Sequence, residues 1–508
     1  MKKITTLFAV CATAWMGSAQ NINDVVDYGT TTLNGSARYQ SMSGAFGALG
    51  GDLSSLNINP AGSAVFNHGA VTFSGTSYNN KIRSGYFNTF NESTENDFRL
   101  NQIGGVMVFN STQANSNWNK LALAFNYEYL NNGDTEFFSN GLSNQSIDQY
   151  FLNNANGFYL DEISALPGES VSDAYYEIGS DPNLGYPALQ GLLGYEGYIV
   201  NSVDENDPNN TSYFSNANYT NVNQEYYSSR RSADSKFTAN MATMFNDNIY
   251  LGANLNFYNI DRERYNWLYE DGYNTNSNLQ SVYFENLLRT FGNAFSFNVG
   301  AIAKLNDMVR VGLSYQSPTW YNLTDELQQY VETDVYIDNN LEYITVDPRV
   351  IFVFPDYDVQ LPSKYTGSLA MVFGKHGLLS LDYSYQDMSR AKLKPTQDPY
   401  FANENTRISN NLKGVSSFRL GGEYRISRLS LRAGYQFEES PYKSGNTVGD
   451  LTGYSLGLGY NFGAVSFDAG FSQLQREYDY QLYDTGLTNT TRLDKESTNV
   501  TLSATIKL

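Results

Sequence analysis

Cysteine is almost absent from this 508-residue chain: there is one, Cys11. A single cysteine excludes a disulfide framework and a thiolate metal site. Histidine is nearly as scarce, with only His68 and His376, and tryptophan numbers four. Basic residues are outnumbered, 32 Lys and Arg against 52 Asp and Glu, and the net charge of −20 has the wrong sign for a nucleic-acid binder. Beyond the leader, no apolar run reaches the ~18 residues of a membrane-crossing helix. What is plentiful is tyrosine and phenylalanine, 41 and 30 residues, in a chain whose mean hydropathy is only −0.43. Outer-membrane strands combine these properties, because alternating greasy and polar residues cancel in a window average.

Lys2 and Lys3 precede an apolar run from Ile4 to Met16, and Gly17 and Ala19 put small residues where a signal peptidase reads. Residues 1–19 are therefore expected to be a cleaved export signal, with the mature chain starting at Gln20. Cys11 leaves with that segment, and Val10 before it is too large for a lipoprotein cleavage site. An exported, cysteine-free chain leaves three classes: a secreted globular protein, a large soluble β-protein, or an outer-membrane barrel.

Local periodicity selects the barrel. Between 451 and 462, Tyr454, Leu456, Leu458, Tyr460 and Phe462 share one face, while Ser455, Gly457, Gly459 and Asn461 share the other. Leu429, Leu431, Ala433, Tyr435 and Phe437 oppose Ser430, Arg432, Gly434, Gln436 and Glu438 in the same way. Such segments run for about ten residues, the length that a tilted strand needs to cross a bilayer. Strands are expected near 70–78, 100–110, 118–130, 225–246, 248–262, 290–305, 308–320, 363–374, 377–388, 414–427, 428–438, 451–462, 464–476 and 495–508. That makes fourteen, and closed bacterial barrels have an even count. The fold class is thus all-β, a 14-stranded antiparallel transmembrane barrel over 70–508.

Connections alternate between tight turns, at 246–248, 306–307, 375–377, Ser427 and Gly463, and long polar stretches at 131–224, 261–289 and 321–362. Barrels turn tightly on the periplasmic side, so the long stretches are expected to be extracellular loops. Short helices over the mouth are expected at 146–160 and 187–193.

Ahead of the first strand, Gly35 to Phe66 is too rich in small residues to be one. Irregular backbone at membrane depth survives only inside protein, so residues 20–69 are expected to form a hatch within the lumen. Here Ser43-Gly44-Ala45, Asp52 and Asn59-Pro60-Ala61 resemble, in order and spacing, the hatch of the FadL/OmpP1/TodX family of outer-membrane channels for hydrophobic compounds. A second patch resembles a strand pair of that family: Phe418-Arg419-Leu420-Gly421-Gly422-Glu423-Tyr424, Leu431-Arg432-Ala433-Gly434-Tyr435 and Ser440-Pro441. The 131–224 segment departs from the family in being long for it, and the pattern of Asn- and Tyr-rich loops resembles its Bacteroidota branch.

The resemblance implies passive uptake of a hydrophobic molecule, such as a long-chain fatty acid, with outer-membrane lipid and the barrel-assembly machinery as partners and no cofactor. It places the hatch motif at Gly44, Ala45, Asp52, Asn59, Pro60 and Ala61. Arg419, Glu423, Arg425 and Arg432 are expected to point into the lumen and pair there, bracing hatch or wall. The family's sideways exit needs a kinked third strand, for which Asn126, Asn131, Asn132 and Gly133 are the candidates. Two other readings remain: a scaffold barrel within a protein-secretion system, and a hemin-receptor-like binder. His68 and His376 look like turn residues, which gives the second little support and offers no catalytic constellation, so the chain is not read as an enzyme.

Overall fold

The computed structural model describes residues 21–30, 33–113, 116–130, 134–181 and 183–508. The leader expected over 1–19 and the start at Gln20 lie outside the described residues.

Fourteen antiparallel strands close a barrel. They are β1 (Ala70–Tyr86), β2 (Thr89–Asn110), β3 (Trp118–Tyr129 and Thr135–Ser143), β4 (Val222–Ser232 and Ser235–Phe245), β5 (Ile249–Asp271), β6 (Leu279–Lys304) and β7 (Val309–Gln316 and Thr319–Ile337). The circuit continues with β8 (Tyr357–Leu361 and Lys364–Val372), β9 (Gly377–Asp387), β10 (Gly414–Ile426), β11 (Leu429–Glu438), β12 (Leu451–Asn461), β13 (Val465–Gln481) and β14 (Thr490–Lys507). Each pairs with the next, and β14 pairs with β1 from Lys507↔Ala70 to Arg492↔Gly85, which closes the cylinder.

The alternation produces the wall directly. Leu458 and Leu502, on the expected greasy face, are 54% and 62% exposed, while Ser455 and Ser503 opposite them are buried inside. An exposed apolar belt around a closed barrel requires lipid against it. The tight turns suit their residues: Asn246 and Asp247 both take positive φ in the three-residue connection between β4 and β5, and Gly463 takes φ +106°.

Several strands run farther than the sequence indicated. The stretches at 261–289 and 321–362, expected as loops, are largely the outer arms of hairpins, since β5 reaches Asp271, β6 starts at Leu279, and β7 reaches Ile337 before an arm at Asn340–Val346. Beyond the apolar belt the pattern inverts: on β7 Leu323, Leu327, Val331 and Val335 are buried on the inner face, while Glu326, Gln328, Glu332 and Asp334 lie on the other. Within 131–224 lie the outer arms of β3 and β4 and a cap made of α3 (Asp148–Ala155), α4 (Val171–Ser180), α5 (Gly185–Glu196) and a small hairpin. Helix was expected at 146–160 and 187–193, whereas α4 was not.

The cap fills the mouth. Phe151, Ile163, Leu189, Leu192 and Leu193 are fully buried with Phe284 of β6 and Val331 of β7. At its root Glu270 accepts hydrogen bonds from Gln224 Nε2 (2.6 Å), Ile147 N (3.2 Å), Tyr273 Oη (2.5 Å) and the Ser146 hydroxyl, so one carboxylate gathers three segments of the mouth.

Candidate functional site

The lumen is filled in storeys. At the tight-turn end sits the hatch: α2 (Ala37–Gln40), then 3-10 turns at Leu53–Asn57 and Pro60–Val65. It presses on bare wall. A Cβ added at Gly252, Gly300, Gly312 or Gly457 would collide with Pro60, Asn59, Gly47 or Ser41, and one at Gly434 would stand 2.5 Å from the Met42 carbonyl carbon. Several of these wall glycines are direct cross-strand partners, Gly252↔Gly300, Gly421↔Gly434 and Gly457↔Gly470. The small face of each strand is therefore a seat for hatch backbone.

The six hatch-motif residues hold that shape. Gly44 takes φ +76°. Ala45 and Ala61 are wholly buried. Asp52 caps the first 3-10 turn by accepting from Ser54 N (2.9 Å), and also accepts from the Ser36 hydroxyl (2.7 Å). Asn59 caps the second, its Oδ1 accepting from Ala61 N at 3.1 Å, while Pro60 occupies the first position of that turn, where no N–H is needed. Asn59 Nδ2 donates to the carbonyls of Gly47 (2.8 Å) and Ala301 (3.0 Å), joining two parts of the hatch to β6.

Two of the four lumen charges, Glu423 and Arg419, also meet the hatch. Glu423 is buried and receives Arg432 Nε (2.6 Å), Arg425 Nη2 (2.5 Å) and Arg38 Nε (3.1 Å), the last from α2. Arg432 continues to Asp468 at 2.7 Å. Arg419 is set apart from this group, with Nη1 3.5 Å from the Tyr39 hydroxyl.

Sequence reading missed the middle storey. Helix α1 (Ile22–Gly29), closed by an Asn21/Asp24 capping box, lies above the hatch. Ile22, Val25 and Val26 pack on Tyr321, Tyr357, Met388 and Phe401, the last from α6 (Pro399–Asn411). Its polar side meets arginines: Asp24 pairs with Arg264 at 3.1 Å, Asp27 with Arg230, and the Tyr28 ring lies 4.1 Å beneath Arg262. Burial, only partly opposed by Arg262, keeps the Tyr28 phenol above its usual range and neutral. One cleft, with about 320 Å³ of open space, lies along this arginine side, and another of about 370 Å³ adjoins Val26, Gly29 and Lys364. The available signal was the alternation Arg262, Glu263, Arg264, which puts both arginines on one strand face.

The wall itself is interrupted. The β2–β3 ladder runs from Asn110↔Lys120 to Gln102↔Glu128 and stops. Beyond it the outer arm of β3, among the described residues, pairs only with β4 and bends across the inner faces of β1 and β14. Asn80 Nδ2 donates to Asp134 O (3.2 Å), Ser84 bonds the Phe138 carbonyl, and Ser139 meets Thr491 at 2.8 Å. The outer half of β2, with Phe98 and Leu100 outward, has no ladder on that edge among the described residues. Asn126 lies below the break in regular pairing with Gly104; Asn131, Asn132 and Gly133 lie outside the described residues. Behind the break stands Asn34 of the hatch, accepting from Asn101 Nδ2 (2.8 Å) on β2 and Tyr78 Oη (3.2 Å) on β1, and donating to the Tyr129 carbonyl on β3. His68 and His376 are exposed at the tight-turn end.

A closed, lipid-girdled barrel with an internal hatch and an interrupted wall is an outer-membrane protein of the transport-channel type. The family model described as outer membrane protein transport protein (OMPP1/FadL/TodX) matches residues 209–507, and the chain belongs to that family. A model for an uncharacterised family matches residues 5–91. Outer membrane protein P1 of Haemophilus influenzae is 26% identical over 193 residues, 36% of this chain, which spans 38% of that relative's length. A crystal structure of a Pseudomonas aeruginosa FadL homologue shares the fold, with a TM-score of 0.52 at 13% identity, covering 94% of this chain and 99% of that one.

Proposed function

We propose that this barrel is a passive channel admitting hydrophobic molecules, long-chain fatty acids or similar compounds, across the outer membrane. The long-arm end faces outward and the hatch blocks the axial path to the periplasm. The observation that carries the reading is the broken β2–β3 ladder at the Gln102–Glu128 rung, beside outward-facing Phe98 and Leu100. A greasy molecule has no reason to cross a polar periplasmic mouth when the wall offers an exit at the level of the lipid. Asn34 holds both sides of that break, so hatch position and wall opening are mechanically joined. Neither the scaffold nor the hemin reading gains a comparable observation, and the two histidines stand outside the lumen.

The test is uptake of labelled oleate by cells lacking their own channel. Expression of this chain is expected to restore uptake, and Asn34→Ala to change its rate with the barrel still folded by heat-shifted electrophoretic mobility. A well-folded barrel that moves no oleate sinks the proposal.

A further inference from the structure

Well above the lipid, the outer face of the wall carries a row of rings. Phe138, Tyr227 and Trp267 are direct cross-strand partners from β3 to β5, and the same rung continues through Glu285 on β6 to Tyr330 on β7. The row points away from the cap, because Leu268, Phe284 and Val331, each one residue along, are buried beneath it. The Tyr227 and Trp267 rings lie 5.9 Å apart and within 18° of parallel; Trp267 is 5.9 Å from Tyr283, and Tyr283 is 6.3 Å from Tyr330. Carboxylates are set between the rings. Glu285 Oε2 accepts from the hydroxyls of Tyr265 (2.9 Å) and Tyr283 (2.8 Å), while Glu332 stands opposite Tyr283 and accepts from Tyr330. A carboxylate has about four lone-pair sites, so Glu285 keeps capacity for a further donor.

This row is distinct from the aromatic girdle at the edge of the lipid. The girdle is lower on the same strands, where Phe295 of β6 lies 5.4 Å from Phe257 of β5 and 6.3 Å from Trp320 of β7. Between the two levels on β5 come Asn259, Asp261 and Glu263, all on the outward face, and Arg289 of β6 pairs with Asp261 at 3.1 Å. From Phe257 to Trp267 a tilted strand climbs about 25 Å. Acyl chains end below that polar band. In the outer leaflet of an outer membrane, what stands at the height of the upper row is the sugar chain of the membrane's own glycolipid.

We propose that the upper row is a saccharide-binding platform, which docks the uncharged sugar chain of outer-leaflet lipopolysaccharide against the side of the barrel. The chemistry suits sugars: aromatic rings take the C–H face of a pyranose, and carboxylate and phenol oxygens between them take its hydroxyls. Strand spacing sets neighbouring positions of the rung about 4.8 Å apart, close to the length of one pyranose in a chain, so successive sugars meet successive strands. An apolar protein partner would strip water from Glu285 and Glu332 without answering their charge. The same carboxylates repel the phosphate-bearing inner part of the glycolipid and so favour its neutral outer part. The platform lies outside the lumen and goes beyond the channel reading, whatever the barrel carries.

Trp267 reports on its own site: its emission is the difference between the full chain and Trp267→Phe. Acrylamide quenching of that emission is measured in vesicles containing lipopolysaccharide with long sugar chains, lipopolysaccharide truncated to its innermost sugars, or phospholipid alone, with folding checked by heat-shifted mobility. Long chains are expected to lower the quenching, and the truncated form to match phospholipid. Delipidated sugar chain titrated onto the protein in detergent is expected to protect Trp267 in the same way. Tyr227→Ala with Tyr283→Ala is expected to weaken that binding about fivefold or more, the worth of two ring contacts. Equal protection by truncated and long forms assigns the row to the lipid head and overturns the platform. So does a free sugar chain that leaves a folded barrel unprotected, and so does protection that needs no glycolipid and grows with protein concentration, which marks a second copy of the chain as the occupant.

Discussion

Asn59 and Gly300 occupy one another's space: the side-chain oxygen of the hatch asparagine lies where a Cβ on the β6 glycine would project. Gly312 stands in the same relation to the Gly47 carbonyl. The asparagine can turn aside only by giving up its cap and its bonds to Gly47 and Ala301, and the carbonyl cannot turn at all. Gly300→Ala is therefore expected to cost at least as much as Gly312→Ala, which itself reaches about 1–3 kcal/mol. Urea unfolding of the detergent-solubilised barrel, followed by tyrosine fluorescence, measures both.

At Asn59 the two ends of the amide do different things. Alanine removes the cap and the bonds to Gly47 and Ala301, for about 2–4 kcal/mol in all. Aspartate keeps the cap but turns an acceptor toward two carbonyls that need a donor. Asn59→Asp is expected to be the worse substitution, and to raise sensitivity to bulky antibiotics because the hatch no longer seats. A growth assay on large hydrophilic drugs reads this directly, and equal behaviour of the two variants contradicts it.

Glu423 answers three arginines. Glu423→Gln leaves Arg38 and Arg425 without their carboxylate in a buried setting, an expected cost of about 3–5 kcal/mol. Pairing it with Arg38→Met should return part of that loss, because one stranded cation is gone. A double-mutant cycle by thermal unfolding gives the coupling, and a value near zero contradicts the bracing role.

Glu270 lies near the outer end of β5, well above the apolar belt, where burial pushes its carboxyl up to about 7 against an ordinary 4.5. The folded cap therefore holds a proton more tightly than the open chain does. This stabilisation is complete below about pH 4.5 and is lost as pH rises through about 7, amounting to roughly 3 kcal/mol at most. Hydrogen exchange of the α3 amides should be slower at pH 5 than at pH 8 after correction for intrinsic rates. Glu270→Gln should flatten that difference, and a cap that tightens with rising pH reverses the sign argument.

The wall was legible because its physics is local. Tyr454 to Phe462 announces a strand through a period of two, and each tight turn carries residues that tolerate positive φ. The outer arms of β5, β6 and β7 were read as loops because above the lipid the greasy face, Leu268, Phe284 and Val331 among it, turns inward under the cap and the outer face becomes polar. Within the lumen, Asn59-Pro60-Ala61 was visible through its resemblance to the family's hatch motif, and the capping bond from Ala61 N appears only in the structure. Helix α1 was not: eight residues with few local markers owe their place to Arg230, Arg262 and Arg264, some two hundred positions away. The bend of β3 is equally non-local, because the ladder that ends at Gln102–Glu128 is decided by where β1 and β14 can receive the departing arm.

The glycine seats bear on how the molecule is made. Hatch residues touch β5, β6, β7, β10, β11, β12 and β13, and Ala37 N bonds the Ser503 hydroxyl of β14 at 2.7 Å, on the strand that completes the circle. A finished cylinder whose inner surface lies in contact with its filling has no room to admit that filling afterwards. The hatch is therefore expected to be in place as the last seam between β14 and β1 zips shut, a former around which the wall is wound.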